Sequence, residues 1–290
     1  MAVPNCVNFT QSSVSENDAE VGAWEIRERT VELSAEAKED GGKRFSRPRV
    51  KLAWAIPKTG RITEAPREIW SFFPIPGVGS SLPGILNTGW KLSEDRGNLV
   101  EGTLNEELID AAAALVIESI PSLAPVNRPG QALDFLPGAP RSKGGGANDA
   151  GWAGNRLRES VWELAEDAAL VPDGLGDWRL GSELLTWPFE SLGPARRDLR
   201  ERWADAVVAP AQWVHSSVMT GDRSRIARLL GAEDAALDVW LVAVLDESDA
   251  ETSSALALGL AENILQLDAE SESIPRTTHG LADVDLVRTL

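Results

Sequence analysis

Chemistry on phosphate needs closely spaced glycines whose amide N–H groups converge on an anion, usually where a helix starts. Gly77-Val78-Gly79 lacks the third glycine of a dinucleotide loop, and Lys143-Gly144-Gly145-Gly146 carries its lysine on the wrong side for a Walker loop. Nucleophilic chemistry needs a serine or cysteine beside a base. Gly79-Ser80-Ser81-Leu82-Pro83 approaches a nucleophile elbow but puts Pro83 where the last glycine belongs. The only histidines are His215 and His279, and nothing in the sequence around either marks it as a base. With Cys6 as the single cysteine, neither an internal disulfide nor a structural zinc site is expected. Carboxylates are plentiful, but no pair stands out by spacing as an acid/base couple. Lys43, Arg44, Arg47, Arg49 and Lys51, interleaved with Phe45, are read as a solvated turn and strand face, the alternative being contact with an acidic partner or nucleic acid.

The whole chain bounds these readings. Its 290 residues suffice for two modest domains or one large one. A hydrophobic content of 43% excludes a wholly disordered chain. The net charge of −17 argues against a partner bound through phosphate neutralisation, so nucleic acid is not expected. After Arg228 the basic residues are Arg276 and Arg288 alone. No signal-peptide core or membrane-length apolar run is read, so a reducing cytoplasm and no membrane partner are expected. Tryptophan without tyrosine suggests Trp-anchored packing.

Elements that could position a site follow from periodicity. Residues 1–20 are polar and patternless and read as a tail. Strand character runs over 23–33, with Arg27, Glu28 and Arg29 expected on exposed positions. Residues 34–40 suit a short helical turn closed by Gly41-Gly42. Val50, Leu52 and Trp54 alternate through a strand over 49–56, and Ile69, Trp70, Phe72 and Phe73 mark another. Prolines 74, 76 and 83 with Gly77 and Gly79 predict a loop over 74–83, before an extended run over 84–92. Thr103 and Glu106 predict a capping box opening a helix that Pro121 should stop. The proline- and glycine-rich stretch that follows reads as a linker, ending near Gly154. Beyond it, helical patterns are read over 157–168, 194–208, 224–231, 235–245 and 252–266.

The stretch from Glu68 to Ser119 also resembles a known family. Phe72-Phe73-Pro74, then Leu82-Pro83-Gly84-Ile85-Leu86-Asn87, Lys91-Leu92-Ser93-Glu94-Asp95-Arg96 and Asn105-Glu106-Glu107-Leu108-Ile109 resemble sacsin-type proteins. These carry an ATPase domain like that of the ninety-kilodalton heat-shock chaperone, of the gyrase–chaperone–histidine-kinase superfamily. The resemblance spans residues 24–123 and continues more weakly through Leu170–Gly174 and Trp213–His215. It implies a segment downstream of the ATP-binding domain. Asp173-Gly174-Leu175-Gly176 has the glycines of the family's ATPase box shifted by one, and no segment matches its magnesium-holding helix. ATP and Mg would therefore belong to a separate upstream domain, with no cofactor in this chain.

In the chaperone, an arginine of the middle segment follows a Leu-Pro-Leu-Asn strand and a serine, and reaches the γ-phosphate. Leu82–Asn87, Ser93 and Arg96 look like a stretched version of that arrangement. Lys91 is the other candidate, because related type II topoisomerases use a lysine from the following domain. The alternative for Arg96 is an ion pair with Asp95. The expected fold is α+β. An N-terminal mixed or antiparallel sheet with helices on one face would span 21–123, a linker 124–154, and a mainly helical part 155–290. The expected function is that of a transducing segment contacting the upstream ATPase domain and a protein client, not catalytic alone. The alternatives are a free-standing acidic interaction module, or a hydrolase of unrecognised type.

Overall fold

The computed structural model describes residues 10–12, 23–45, 49–58, 62–138, 151–186, 210–235 and Ser254. The chain divides into two compact units, Met1–Leu170 and Val171–Leu290. The first is α+β, built on a six-stranded sheet ordered β1-β2-β3-β6-β4-β5. Its strands are β1 (Thr10–Ser12), β2 (Trp24–Glu32), β3 (Arg49–Pro57), β4 (Arg67–Ser71), β5 (Phe73–Gly79) and β6 (Gly84–Thr88). Every pairing is antiparallel except that of β4 with β6, which makes the sheet mixed.

Alternation places one face of this sheet in the core. Register puts Leu52 opposite Thr88, and Trp54 opposite both Arg27 and Leu86. Leu86 in turn pairs with Ile69, so these side chains share a face. All are at most 2% exposed, which identifies the face that the helices cover. The helices are α1 (Ala35–Gly41), α2 (Thr103–Leu123) and α3 (Gly151–Glu166). From α2, Leu104, Leu108, Ala112, Leu115 and Ile120 are fully buried at helical spacing. Trp54 anchors this core: its Nε1 donates to the Pro83 carbonyl at 2.9 Å, and Phe135 meets its ring edge-on at 6.2 Å. Close approach explains Gly84 (φ +100°), where a Cβ would lie 2.3 Å from the Ala55 oxygen.

Several local expectations change. Residues 73–79 form β5, not a loop, because an edge strand tolerates prolines whose missing N–H would break an inner ladder. α2 passes Pro121 and ends at Leu123. The proline lies in the last turn, which fully buried Ile120 docks and the Ser119 and Ser122 hydroxyls bond to upstream carbonyls. Arg27 is 2% exposed beneath the helices and paired with Glu25, whereas its exposure was expected. The first part of the expected linker is packed. A 3₁₀ stretch over Pro129–Phe135 buries Ala132 and Leu133, and the Pro137 carbonyl accepts from Trp162 Nε1 at 3.2 Å. α3 packs on α2 and belongs to the first unit, not to the mainly helical part expected over 155–290.

In the second unit the described residues form short pieces. β7 (Val171–Pro172) pairs with β8 (Trp178–Arg179), and β9 (Leu185–Thr186) runs parallel to β10 (Glu233–Asp234). The helix α4 (Asp222–Leu229) matches the pattern read over 224–231. The helices expected over 194–208 and 252–266, and all but the first residue of that over 235–245, fall outside the described residues apart from Ser254.

Candidate functional site

Lys91 and Arg96 both lie between β6 and α2, in a turn assembled by side chains from three directions. Within it, the amide and carbonyl of the Ser93–Asn98 loop close on each other, Ser93 N donating to Asn98 O at 2.9 Å. The Ser93 hydroxyl donates to Asp95 Oδ1 at 2.5 Å and accepts from Asn98 N at 3.1 Å. Asp95 Oδ1 also takes the Gly97 amide at 3.0 Å, and the Ser93 and Gly97 donors hold its carboxyl below the usual aspartate range. Asp95 thus holds the loop together. The alternative of an Asp95–Arg96 ion pair does not form.

From below, Asn105 of α2 clamps the start of the turn. Fully buried, it accepts from Lys91 N at 2.9 Å and donates to the carbonyls of Lys91 at 2.8 Å and Val100 at 2.7 Å. From the side, Asp40 of α1 takes the Lys91 ammonium at 2.5 Å on Oδ1. Its other oxygen accepts from Leu104 N at 3.1 Å, in the first turn of α2. Asp40, not Thr103, therefore caps α2; the helix N-cap is Gly102 and makes no side-chain cap bond. Gly102 leaves the room this needs, since a Cβ there would stand 2.6 Å from Asp40 Oδ2. The Lys91 hydrogen bond, then the Leu104 amide, lower the Asp40 pKa against a smaller opposing effect of burial.

The two sequence-derived candidates thus differ in placement. Lys91 is half-buried and bound to a carboxylate. Arg96 is exposed, in left-handed backbone (φ +59°), and its guanidinium has no hydrogen bond or ion pair among the described residues. The sequence reading missed Asp40 and Asn105. The only signal was the glycine at 102 followed by an asparagine inside the first helical turn.

The other motifs are occupied structurally. Asp173, fully buried, accepts from Leu175 N at 2.9 Å and Asp177 N at 3.0 Å and pairs with Arg179 at 3.2 Å. Its Asp-Gly-Leu-Gly run is a closed turn. Ser80 and Ser81 are buried, with the Ser80 hydroxyl on Leu82 N and the Ser81 carbonyl on Arg67. Burial, then the nearby Arg158 charge, lowers the Arg67 pKa. His215 Nδ1 accepts from Ser217 N at 3.1 Å, capping a 3₁₀ turn over Ser216–Val218. Arg49 of the basic cluster pairs with Glu32 at 2.8 Å, while Arg47, Lys143–Gly146 and His279 lie outside the described residues. Among the described residues no group of three or more His, Cys, Asp or Glu could hold a metal ion. No helix among them is long and apolar enough to cross a membrane. Compared with protein families, curated proteins and solved structures, the chain matches none.

Proposed function

We propose that this chain is the middle, transducing segment of a sacsin-like, chaperone-related ATPase, and that Arg96 acts on ATP held by a separate domain. The observation carrying this reading is the contrast within one turn. Lys91 is tied to Asp40, whereas Arg96 is exposed on a loop fixed by Ser93 and Asp95. A guanidinium on a fixed loop suits charge developing on a transferred phosphoryl group, because its planar fork matches two oxygens and costs little reorganisation. Lys91 acts through position: with Asp40 and Asn105 it holds the base of the turn. ATP and Mg sit in the partner domain.

In the complete protein, Arg96→Ala lowers ATP turnover at least tenfold, about 1.4 kcal/mol of transition-state stabilisation. ATP affinity and the unfolding midpoint stay unchanged. Lys91→Ala instead lowers the unfolding midpoint. Unchanged turnover per folded Arg96→Ala molecule would reject the assignment. The second reading, an acidic interaction module with no link to ATP, is favoured by two exposed aromatic side chains, Phe72 and Phe73. Partner binding indifferent to nucleotide, together with the absence of an ATPase domain from the complete protein, would select it.

A further inference from the structure

The turn between β4 and β5 puts its largest side chains where burial cannot hold them. Phe72 is 74% exposed and Phe73 75%. Phe72 also has φ +65°, a region that glycine or asparagine enters easily and a bulky residue only under strain. The conformation is fixed from both sides. Ser71 pairs with Phe73 across the turn, and Asn87 of β6 accepts from Phe72 N at 3.0 Å through Oδ1. Beside the turn, the exposed Glu68 carboxylate accepts from Trp70 Nε1 at 2.7 Å, both on one face of β4. Neither packing nor turn chemistry accounts for two phenylalanines here. Strain held by surrounding contacts at an exposed aromatic pair points to recognition.

We propose that the Phe72–Phe73 tip is a docking element for a protein partner that offers an apolar segment flanked by basic residues. Rings held outward before binding lose little freedom on docking, which favours their use as anchors. The exposed Glu68 carboxylate, held beside Trp70 of the same hairpin, and the net charge of −17 select cationic flanks. Strand addition is obstructed, because Pro74 and Pro76 of edge strand β5 have no N–H to offer. A second copy brings the same negative charge to the contact, which opposes self-association. The proposal stands whether or not Arg96 acts on ATP.

Short random peptides displayed on phage, selected on the full chain and counter-selected on Phe72→Ser/Phe73→Ser, test it. Enriched sequences are expected to combine aliphatic or aromatic residues with Lys and Arg. Synthetic copies should bind the double variant at least tenfold more weakly than the parent, and the parent more weakly as salt rises. Phe72→Gly/Phe73→Ser, which keeps a comfortable left-handed residue, must show the same loss with an unchanged far-ultraviolet spectrum. Peptides that bind parent and variants equally, or that are acidic, overturn the proposal. So do Phe-dependent flotation with phosphatidylcholine vesicles, which would make the tip a membrane element, and Phe-dependent dimers in sedimentation.

Discussion

From the last turn of α1, Asp40 joins two further segments through its two oxygens: it receives Lys91 and caps α2. A capping carboxylate is worth about 0.5–2 kcal/mol, and the ion pair adds to that at a site only 24% exposed. Asp40→Ala should therefore lower stability by about 1–2 kcal/mol near pH 7, measured by urea denaturation. The pH dependence follows from the sign of the shift. The folded-state pKa is depressed, so the contribution is complete above the unfolded value of about 3.9 and fades as pH falls through the folded one. Parent and variant curves should converge in acid; a constant gap would mean that Asp40 acts through packing. Arg96 is a candidate from sequence because a guanidinium after a strand motif stands out. Asp40 was not, because it lies 51 residues from Lys91 and only the folded chain brings the two together.

Among the described residues, two that are not glycine hold left-handed backbone: Phe72, between β4 and β5, and Arg96, between β6 and α2. β4 and β6 run parallel with Trp70 beside Asn87, so the Phe72 turn and the segment leading to Arg96 leave the sheet at the same end. Left-handed backbone costs a residue with a Cβ about 1–2 kcal/mol relative to its relaxed alternatives. Arg96→Gly and Phe72→Gly should each raise the unfolding free energy by about 1 kcal/mol, less the added unfolded-state entropy of glycine. Chemical denaturation checks this, and a loss of stability in either variant would show that the side chain contributes packing. Gains in stability accompanied by loss of turnover or peptide binding are the trade-off expected where strain serves function. Most strands were legible from alternation, as in Arg49–Pro57. β5 was not, since its prolines argue against a strand unless its edge position is known, and that position is a property of the assembled sheet. Pro121 misled in the same way, because docking of the last turn outweighs one missing hydrogen bond.

Across the whole molecule, the division after Leu170 sets what should fold alone. The first unit contains the complete six-stranded sheet, the helices that cover one face, and the packed Pro129–Phe135 stretch. It also contains both the Arg96 turn and the Phe72–Phe73 tip. A chain of that size can bury a sufficient core, and Trp54, Trp90 and Trp162 are each at most 4% exposed within it. A fragment comprising residues 1–170 should therefore unfold cooperatively in urea and keep a near-ultraviolet tryptophan signal. The α3 helix decides where such a fragment must end. Its Ser160 hydroxyl donates to Asp110 of α2 at 2.8 Å, and Leu157 and Val161 are fully buried. A shorter fragment ending at residue 123, the boundary suggested by the proline- and glycine-rich sequence, leaves that side of α2 uncovered. It should lose the cooperative transition and bind a hydrophobic dye. If the shorter fragment unfolds as sharply as the longer one, α3 is dispensable and the core is closed by the sheet and α2 alone.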